Sequence, residues 1–350
     1  MRYNRRRMIT MSGEKKNAGI DFVITWVDGS DPEWLKEKSK YTSGGSQDNS
    51  AARYRNLDLL KYWFRAVDMY APWVRKIHFV TWGHYPEWLN TEHQKIHIVK
   101  HSDFIPEKYL PVFSSHPIEW NMHRIKGLSN NFVYFNDDMF ITDKVKPSDF
   151  FYKGLPRDVA AMNAFTFVWP ESKVTDFVLA NDMYVMNQHF DKKNSIKKNI
   201  SKWYNLSLGK YLFTNILLLP WPKFTGIKPM HVAMSLKKDT FKELWDEEYE
   251  LLDRTCSHRF RDMEDVNPWL IEFWQMAKGE FYPRKAKEVQ YFSLSPDVDD
   301  NDAIYKAVSE SKYKLICIND GYVNENYDSV KGKLCSVMDK KFAQKSQFEI

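Results

Sequence analysis

Apolar positions along the chain come in short runs of two textures, one nearly continuous and one spaced at helical intervals. Ile20 to Val27 (IDFVITWV) is β-branched and almost unbroken, and it ends in Asp28-Gly29-Ser30-Asp31-Pro32. This predicts a buried strand that empties into a carboxylate-rich turn. Glu33 to Lys38 follows as a short helix, and Ser43 to Ser50, rich in Gly, Ser and Asn, reads as a mobile loop. Leu57, Leu60, Phe64 and Val67 then recur at helical spacing up to Ala71-Pro72, predicting an amphipathic helix. Lys76 to Trp82 (KIHFVTW), Lys95 to Lys100 (KIHIVK) and Phe132 to Phe135 (FVYF) read as further strands, with helical character over Pro117 to Leu128. Two C-terminal helices, about Leu236 to Arg254 and about Glu264 to Ala277, precede a last strand, Lys314 to Ile318 (KLICI), that delivers Asn319-Asp320.

This alternation predicts a layered α/β sandwich with a mainly parallel sheet. In such sheets ligands bind beyond the carboxyl ends of the strands, so Asp28, Asp31, Asp137 and Asp138 are expected on one rim. Four carboxylates crowded together repel one another unless a cation joins them, and a divalent ion carrying phosphate is the natural companion. The stretch Ser172 to Lys210 differs in texture, with Lys192, Lys193, Lys197, Lys198 and Lys202 in a polar helical setting. It reads either as an insertion that meets an acceptor or as a solvated face.

Composition narrows the class. With 350 residues, 43% of them hydrophobic and 16% aromatic, the chain can bury a large core. The longest apolar stretch, Ile216 to Trp221, is far shorter than the roughly 20 residues of a membrane-spanning helix. Residues 1–18 carry a cluster of Arg and Lys with no apolar segment behind it, which reads as a flexible basic arm rather than a signal peptide. Such an arm suits peripheral attraction to an anionic membrane surface, or simple solvation. Cys256, Cys317 and Cys335 form neither a disulfide framework nor a zinc pattern, so a cytoplasmic setting, with the inner face of the membrane within reach, is expected. A net charge of +5 without a concentrated basic stripe argues against nucleic acid as a partner.

Four separated blocks resemble the conserved regions of the Stealth family, which includes bacterial capsule polymerases and the animal enzyme that makes the mannose 6-phosphate tag. They are IDFVITWVDGSDPEW (20–34), the stretch 53–90 containing LDLLKYWFRAVDMYAPWVRKIHFVTWGHYPEWLN, HPIEWNMHRIKGLSNNFVYFNDDMFI (116–141), and KPMHVAMSLKKDTFKELW continuing through SHRFRDMEDVNPW (228–269). The resemblance implies a Rossmann-like, glycosyltransferase-A-like fold: one catalytic α/β domain over 19–350 with a helical insertion at about 172–215. It also implies transfer of a sugar 1-phosphate from a nucleotide-sugar donor, a UDP-hexose or UDP-N-acetylhexosamine, to a hydroxyl of a glycan acceptor. The product is a phosphodiester, UMP is released, and the setting is capsular or exopolysaccharide synthesis.

Matched residue by residue, the family's catalytic set falls on Glu119, Asp138, His231, Arg261 and Asn319. Asp137, Asp138 and Asn319 are the expected ligands of Mg²⁺ or Mn²⁺, hard ions that favour carboxylate and amide oxygens. His231 is the expected general base, because an imidazole titrates near about 6.5 and is largely neutral at pH 7, with Glu119 as rival base or orienting partner. Arg261 offers a planar fork matched to phosphate oxygens, the bland reading being an ion pair with Glu264 or Asp265. His123, four residues after Glu119, and Arg124 are candidate substrate contacts, His123 alternatively a packing group. Trp26, Asp28 and Gly29 form a candidate nucleotide pocket, Trp26 alternatively core. Where a compared family member has a second histidine and a proline beside the base, this chain has Met234 and Ala233, which bears on acceptor contacts more than on the chemistry. Two other classes remain open: a metal-dependent glycosyltransferase that attacks the anomeric carbon and releases UDP, and a non-catalytic glycan-binding protein whose aromatics stack on sugars.

Overall fold

The computed structural model describes residues 19–42, 54, 56–167, 174–320 and 326–350. The basic arm and the loop at Ser43 to Ser50 lie outside the described residues. In chain order the strands are β1 (Ile20–Thr25), β2 (Ile77–Thr81), β3 (Ile96–Lys100), β4 (Asn131–Phe135), β5 (Met139–Ile141), β6 (Phe151–Tyr152), β7 (Leu155–Asp158), β8 (Met234–Lys237), β9 (Tyr282–Pro283), β10 (Val289–Ser293) and β11 (Leu315–Asn319). The main sheet has the order β3-β2-β1-β4-β8, parallel except for β8, which runs antiparallel to β4. A second sheet, β10-β11-β5, pairs β10 and β11 in parallel and β5 antiparallel to β11. The expected α/β fold with a mainly parallel sheet is therefore observed.

Strand alternation assigns the core to both faces of the main sheet. On β1, Phe22 and Ile24 point to one side and Val23 to the other, all fully buried. Phe22 meets Phe135 of β4 with ring centroids 5.0 Å apart, and Trp63 edge-on at 6.5 Å. Trp63 belongs to the helix Leu60–Tyr70, whose Leu60, Trp63, Phe64 and Val67 are buried as its spacing requires. Each such side chain contributes roughly 1.5–3 kcal/mol of burial. On the opposite face Val23, Val80, Phe132 and Tyr134 pack against the helices Lys238–Glu247 and Trp269–Lys278.

The short helix is Pro32–Ser39, capped by Asp31, whose carboxylate accepts from the backbone N–H of Trp34 at 2.7 Å. The stretch read as one helix from Leu236 is three elements: β8, then Lys238–Glu247 and Tyr249–Ser257. Residues 258–268 are loop, so the second expected C-terminal helix starts at Trp269 rather than at Glu264. A final helix, Tyr327–Lys341, and the strands β5 and β10 also went unpredicted. The stretch expected as a helical insertion carries the helices Val174–His189, Lys192–Lys198, Ile200–Trp203 and Tyr211–Leu218. Among the described residues, no helix is long and apolar enough to cross a membrane.

Candidate active site

The chain turns sharply after β4. Asn136 accepts from the backbone N–H of Met139 at 3.1 Å, and this tight turn presents Asp137 and Asp138 before β5 departs for the second sheet. Because Met139 pairs with Cys317 of β11, Ile318 lies beside Asp138, and its N–H donates to the Asp138 carbonyl at 2.8 Å. Cys317 and Asn319, two residues apart, share a face of β11. Both reach the same carboxylate oxygen: the Cys317 thiol donates to Asp138 Oδ2 at 3.1 Å and the Asn319 amide at 3.4 Å.

From the other side, β8 runs antiparallel to β4 with Met234 opposite Tyr134. His231 stands three residues before Met234 and reaches the turn that follows β4. His231 Nε2 lies 3.7 Å from Asp138 Oδ2. Its backbone sits in the left-handed region, φ 48°, which non-glycine residues hold only where the surroundings over-determine it. The rings of Trp269 and Tyr291 flank it, each with centroids 5.6 Å away. Asp138, His231 and Cys317 thus bring an oxygen, a nitrogen and a sulfur within 4.8 Å of one another.

Burial works to raise the Asp138 carboxyl, but the contacts with His231, Cys317 and Asn319 outweigh it and hold the group below the usual carboxylate range. Its second oxygen, Oδ1, is buried with no hydrogen-bond partner, as is His231 Nδ1. Asp137 behaves oppositely, pushed up to about 7 by lost hydration and then by the negative charges of Asp138 and Asp320. Its outer edge remains open to solvent, so the like-charge contribution is the part that an arriving cation would reverse. Burial and the neighbouring Asp138 push the Cys317 thiol well above its ordinary value, so it is a thiol and a donor.

A narrow cleft between Trp26 and Asp137, Asp138 and Asp320 has Leu57 and Ile318 in its walls. Trp26 both lines this cleft and packs on Phe79 at 5.8 Å, so its two readings coexist. Gly29 lies against the Tyr54 backbone, where any Cβ would collide. Asp28 Oδ1 is held by Ser30, and its N–H donates to His84 Nε2 at 2.8 Å; Asp31 is engaged as a helix cap. Local turn chemistry occupies these two carboxylates, while Asp137 and Asp138 gather with Asp320.

Glu119, buried on the helix Ser115–Asn121, accepts from the Tyr134 hydroxyl at 2.8 Å, and Tyr134 also bonds Asn136. Glu119 is thereby linked to the Asp137 turn through one tyrosine. Arg261 donates to Ser115 Oγ at 3.1 Å, at the start of the same helix. Its loop is anchored by Asp265, which accepts from His116 and His258 at 2.7 Å each, while Glu264 pairs with Arg254. The loop then delivers Trp269 to the His231 ring, so Arg261 and His231 are tied to one segment.

His123 and Arg124 are placed elsewhere. The α-helix ends at Asn121, and the following turn sends His123 against Phe241 at 5.6 Å, where burial pushes its imidazole down to about 3. The Arg124 guanidinium lies over the Trp245 ring at 5.2 Å. Cys317 is one of the site residues that sequence reasoning missed, together with Asp320 in the cleft and the rings of Trp269 and Tyr291 beside His231. For Cys317, its spacing of two from Asn319 on a strand was the available signal.

Residues 19–46 match the family model described as Stealth protein CR1, conserved region 1, and residues 53–158 match Stealth protein CR2, conserved region 2. Over 333 residues the chain is 43% identical to a capsular polysaccharide phosphotransferase WcwK of Streptococcus pneumoniae, covering 94% of this chain and 98% of that one. It is 38% identical over 332 residues to the exopolysaccharide phosphotransferase cps2G of Lactiplantibacillus plantarum, covering 94% and 96%. The receptor polysaccharide phosphotransferase WefC of Streptococcus oralis is 38% identical over 338 residues, covering 95% and 99%. Among solved structures, the apo form of the bifunctional glycosyltransferase WbbM gives a TM-score of 0.36 at 10% identity, covering 95% of this chain and 51% of that one, a likeness too weak to argue from. Two matched conserved regions and near full-length relatives agree: the chain belongs to the Stealth family.

Proposed function

We propose that this chain transfers a sugar 1-phosphate from a UDP-hexose or UDP-N-acetylhexosamine to a glycan hydroxyl, in capsular or exopolysaccharide synthesis. The names of its relatives support phosphotransfer as the reaction class. The observation that carries the chemistry is the Asp138 carboxylate, gathered on Oδ2 by His231, Cys317 and Asn319 and left without a partner on Oδ1. Residues 19–350 act in this reading as one catalytic domain, with the functional groups contributed from β4, β8, β11 and the 258–268 loop.

The donor set fits a divalent cation. Asp137, Asp138 and Asn319 would hold it, a set of carboxylate and amide oxygens that suits Mg²⁺ or Mn²⁺. Once bound, such an ion neutralises charge on the phosphate oxygens. The acceptor oxygen forms a bond to the β-phosphorus while the bond from that phosphorus to the bridging oxygen breaks, and UMP leaves with the bridging oxygen. His231 takes the acceptor proton through Nε2, the nitrogen that faces Asp138, and Trp269 and Tyr291 fix its ring. Arg261 clamps the transferring phosphate by its planar fork, and Trp26 supplies an aromatic wall for the base. Glu119, through Tyr134 and Asn136, positions the Asp137 turn.

The test is to incubate the chain with a panel of UDP-sugars and glycan acceptors, with Mn²⁺, Mg²⁺ or EDTA, and to chromatograph the nucleotide product. Metal-dependent UMP is the expected result. Metal-dependent UDP would instead establish the glycosyltransferase reading, and absence of turnover with retained glycan affinity the binding-protein reading.

A further inference from the structure

The helix Tyr211–Leu218 is turned inside out. Its buried positions include Asn215, and its exposed positions are Phe213, Ile216 and Leu217, which share a face at spacings of three and four. Phe213 is 67% exposed, Leu217 55% and, just beyond the helix, Trp221 52%. Isolated exposed apolar side chains need no explanation, but a contiguous group of this kind marks an interaction surface.

The orientation is fixed by polar groups. Asn215 donates to the carbonyls of Ala160 at 2.9 Å and Trp203 at 2.8 Å and accepts from the N–H of Met162 at 2.7 Å. Buried Lys192 reaches across to cap the far end, donating to the carbonyls of Leu218 at 2.5 Å and Trp221 at 2.9 Å. Rolling the helix to hide Phe213 and Leu217 would break this set of buried hydrogen bonds, so the apolar face stays outward.

Charge selects the occupant. From Lys192 to Lys228 the sequence holds eight lysines and no Asp or Glu. Lys193, Lys197, Lys198, Lys210 and Lys223 are exposed, Lys210 just before the apolar helix and Lys223 just after Trp221. An apolar ridge with an aromatic at its end, flanked in sequence by the exposed Lys210 and Lys223, matches a bilayer interface carrying anionic headgroups. A second copy of this chain would bring the same cations against themselves.

We propose that the surface formed by Phe213, Ile216, Leu217 and Trp221 with its flanking lysines docks on an anionic phospholipid bilayer, as a peripheral contact that does not span it. This does not depend on the reaction assigned above.

The full chain should be sedimented with phosphatidylglycerol–phosphatidylcholine vesicles and with pure phosphatidylcholine vesicles, while analytical ultracentrifugation follows its self-association. The parent should bind the anionic vesicles only, less tightly as salt rises. Phe213→Asp with Leu217→Asp should weaken binding at least tenfold. Replacing Lys210 and Lys223 by Ala should weaken it by about fivefold per lysine. Both variants alter exposed positions, and an unchanged melting temperature and circular dichroism spectrum would show that they fold. Three results would overturn the proposal: no binding by the parent, variants that bind as well as the parent, or a dimer that Phe213→Asp dissolves in a chain indifferent to vesicles.

Discussion

Asp138 is the residue on which the account of the site turns. Replacing it by Asn keeps the shape but removes the charge that His231 faces, and it turns an acceptor of three contacts into a group that must donate with one arm. Turnover of Asp138→Asn is expected to fall by several orders of magnitude with the circular dichroism spectrum unchanged; a near-normal rate would remove Asp138 from the chemistry. His231→Ala should lower kcat by about 10²–10⁴-fold, the range of general base catalysis, with donor binding by calorimetry intact. If the lost term were donor affinity instead, His231 would be a binding residue. Tyr134 is expected to act at one remove. Tyr134→Phe leaves buried Glu119 without the hydroxyl that it accepts from, at a cost of about 1–3 kcal/mol in urea unfolding. Its kcat should fall while KM for donor stays, because Asn136 and the Asp137 turn lose their brace.

At the scale of elements, the 258–268 loop shows how a segment without regular structure is held. Asp265 is buried, which works to raise its carboxyl, yet its hydrogen bonds from His116 and His258 prevail and hold it below the usual range. The Asp265 hydrogen bond raises His258 above its ordinary value. The signs give two edges. The Asp265 contribution is complete above the unfolded carboxyl pKa of about 3.9 and is lost as pH falls through the lowered folded value. The His258 contribution is complete below the unfolded imidazole pKa of about 6.5 and is lost as pH rises through the raised folded value. Melting temperature against pH should therefore lose a step above about pH 6.5 in His258→Gln, and a variant that keeps the parent's profile would remove this coupling. The elements legible in the sequence were those with one strong period. The runs of β1, β2, β3 and β4 and the helix Leu60–Tyr70 sit within a few residues of expectation. Leu236 and Lys237 are read as the start of a helix because residues at the head of a helical pattern carry no period of their own, and only pairing with β4 makes Met234–Lys237 a strand. The same holds for β5 and the placement of Cys317. Which strand lies beside which is decided by long-range packing, so Asn319 was legible as a type and its meeting with Cys317 and Asp138 was not.

Across the whole molecule, the C-terminal residues fasten onto the first half of the chain. Glu349 accepts from Arg65 through both oxygens at 2.8 Å, with side chains 10% and 5% exposed for Arg65 and Glu349, while Asn90 and Trp88 bond the backbone at Phe348 and Ile350. Removing one member of a buried pair strands the other, so Glu349→Ala should lower unfolding free energy by about 3 kcal/mol, read by denaturant titration. A change below about 0.5 kcal/mol would show the pair to be dispensable. The residues assigned to chemistry come from segments just as remote in sequence, Asp138 after β4, His231 before β8, Arg261 in a loop and Asn319 at the end of β11, and the function we propose gives them one joint task, attack at phosphorus. The measurement that tests this most directly follows the atom itself, using a UDP-sugar radiolabelled at its β-phosphorus. With a competent acceptor and Mn²⁺, the label should pass into the glycan product while unlabelled UMP is released; label retained in UDP beside an unlabelled glycan would contradict it.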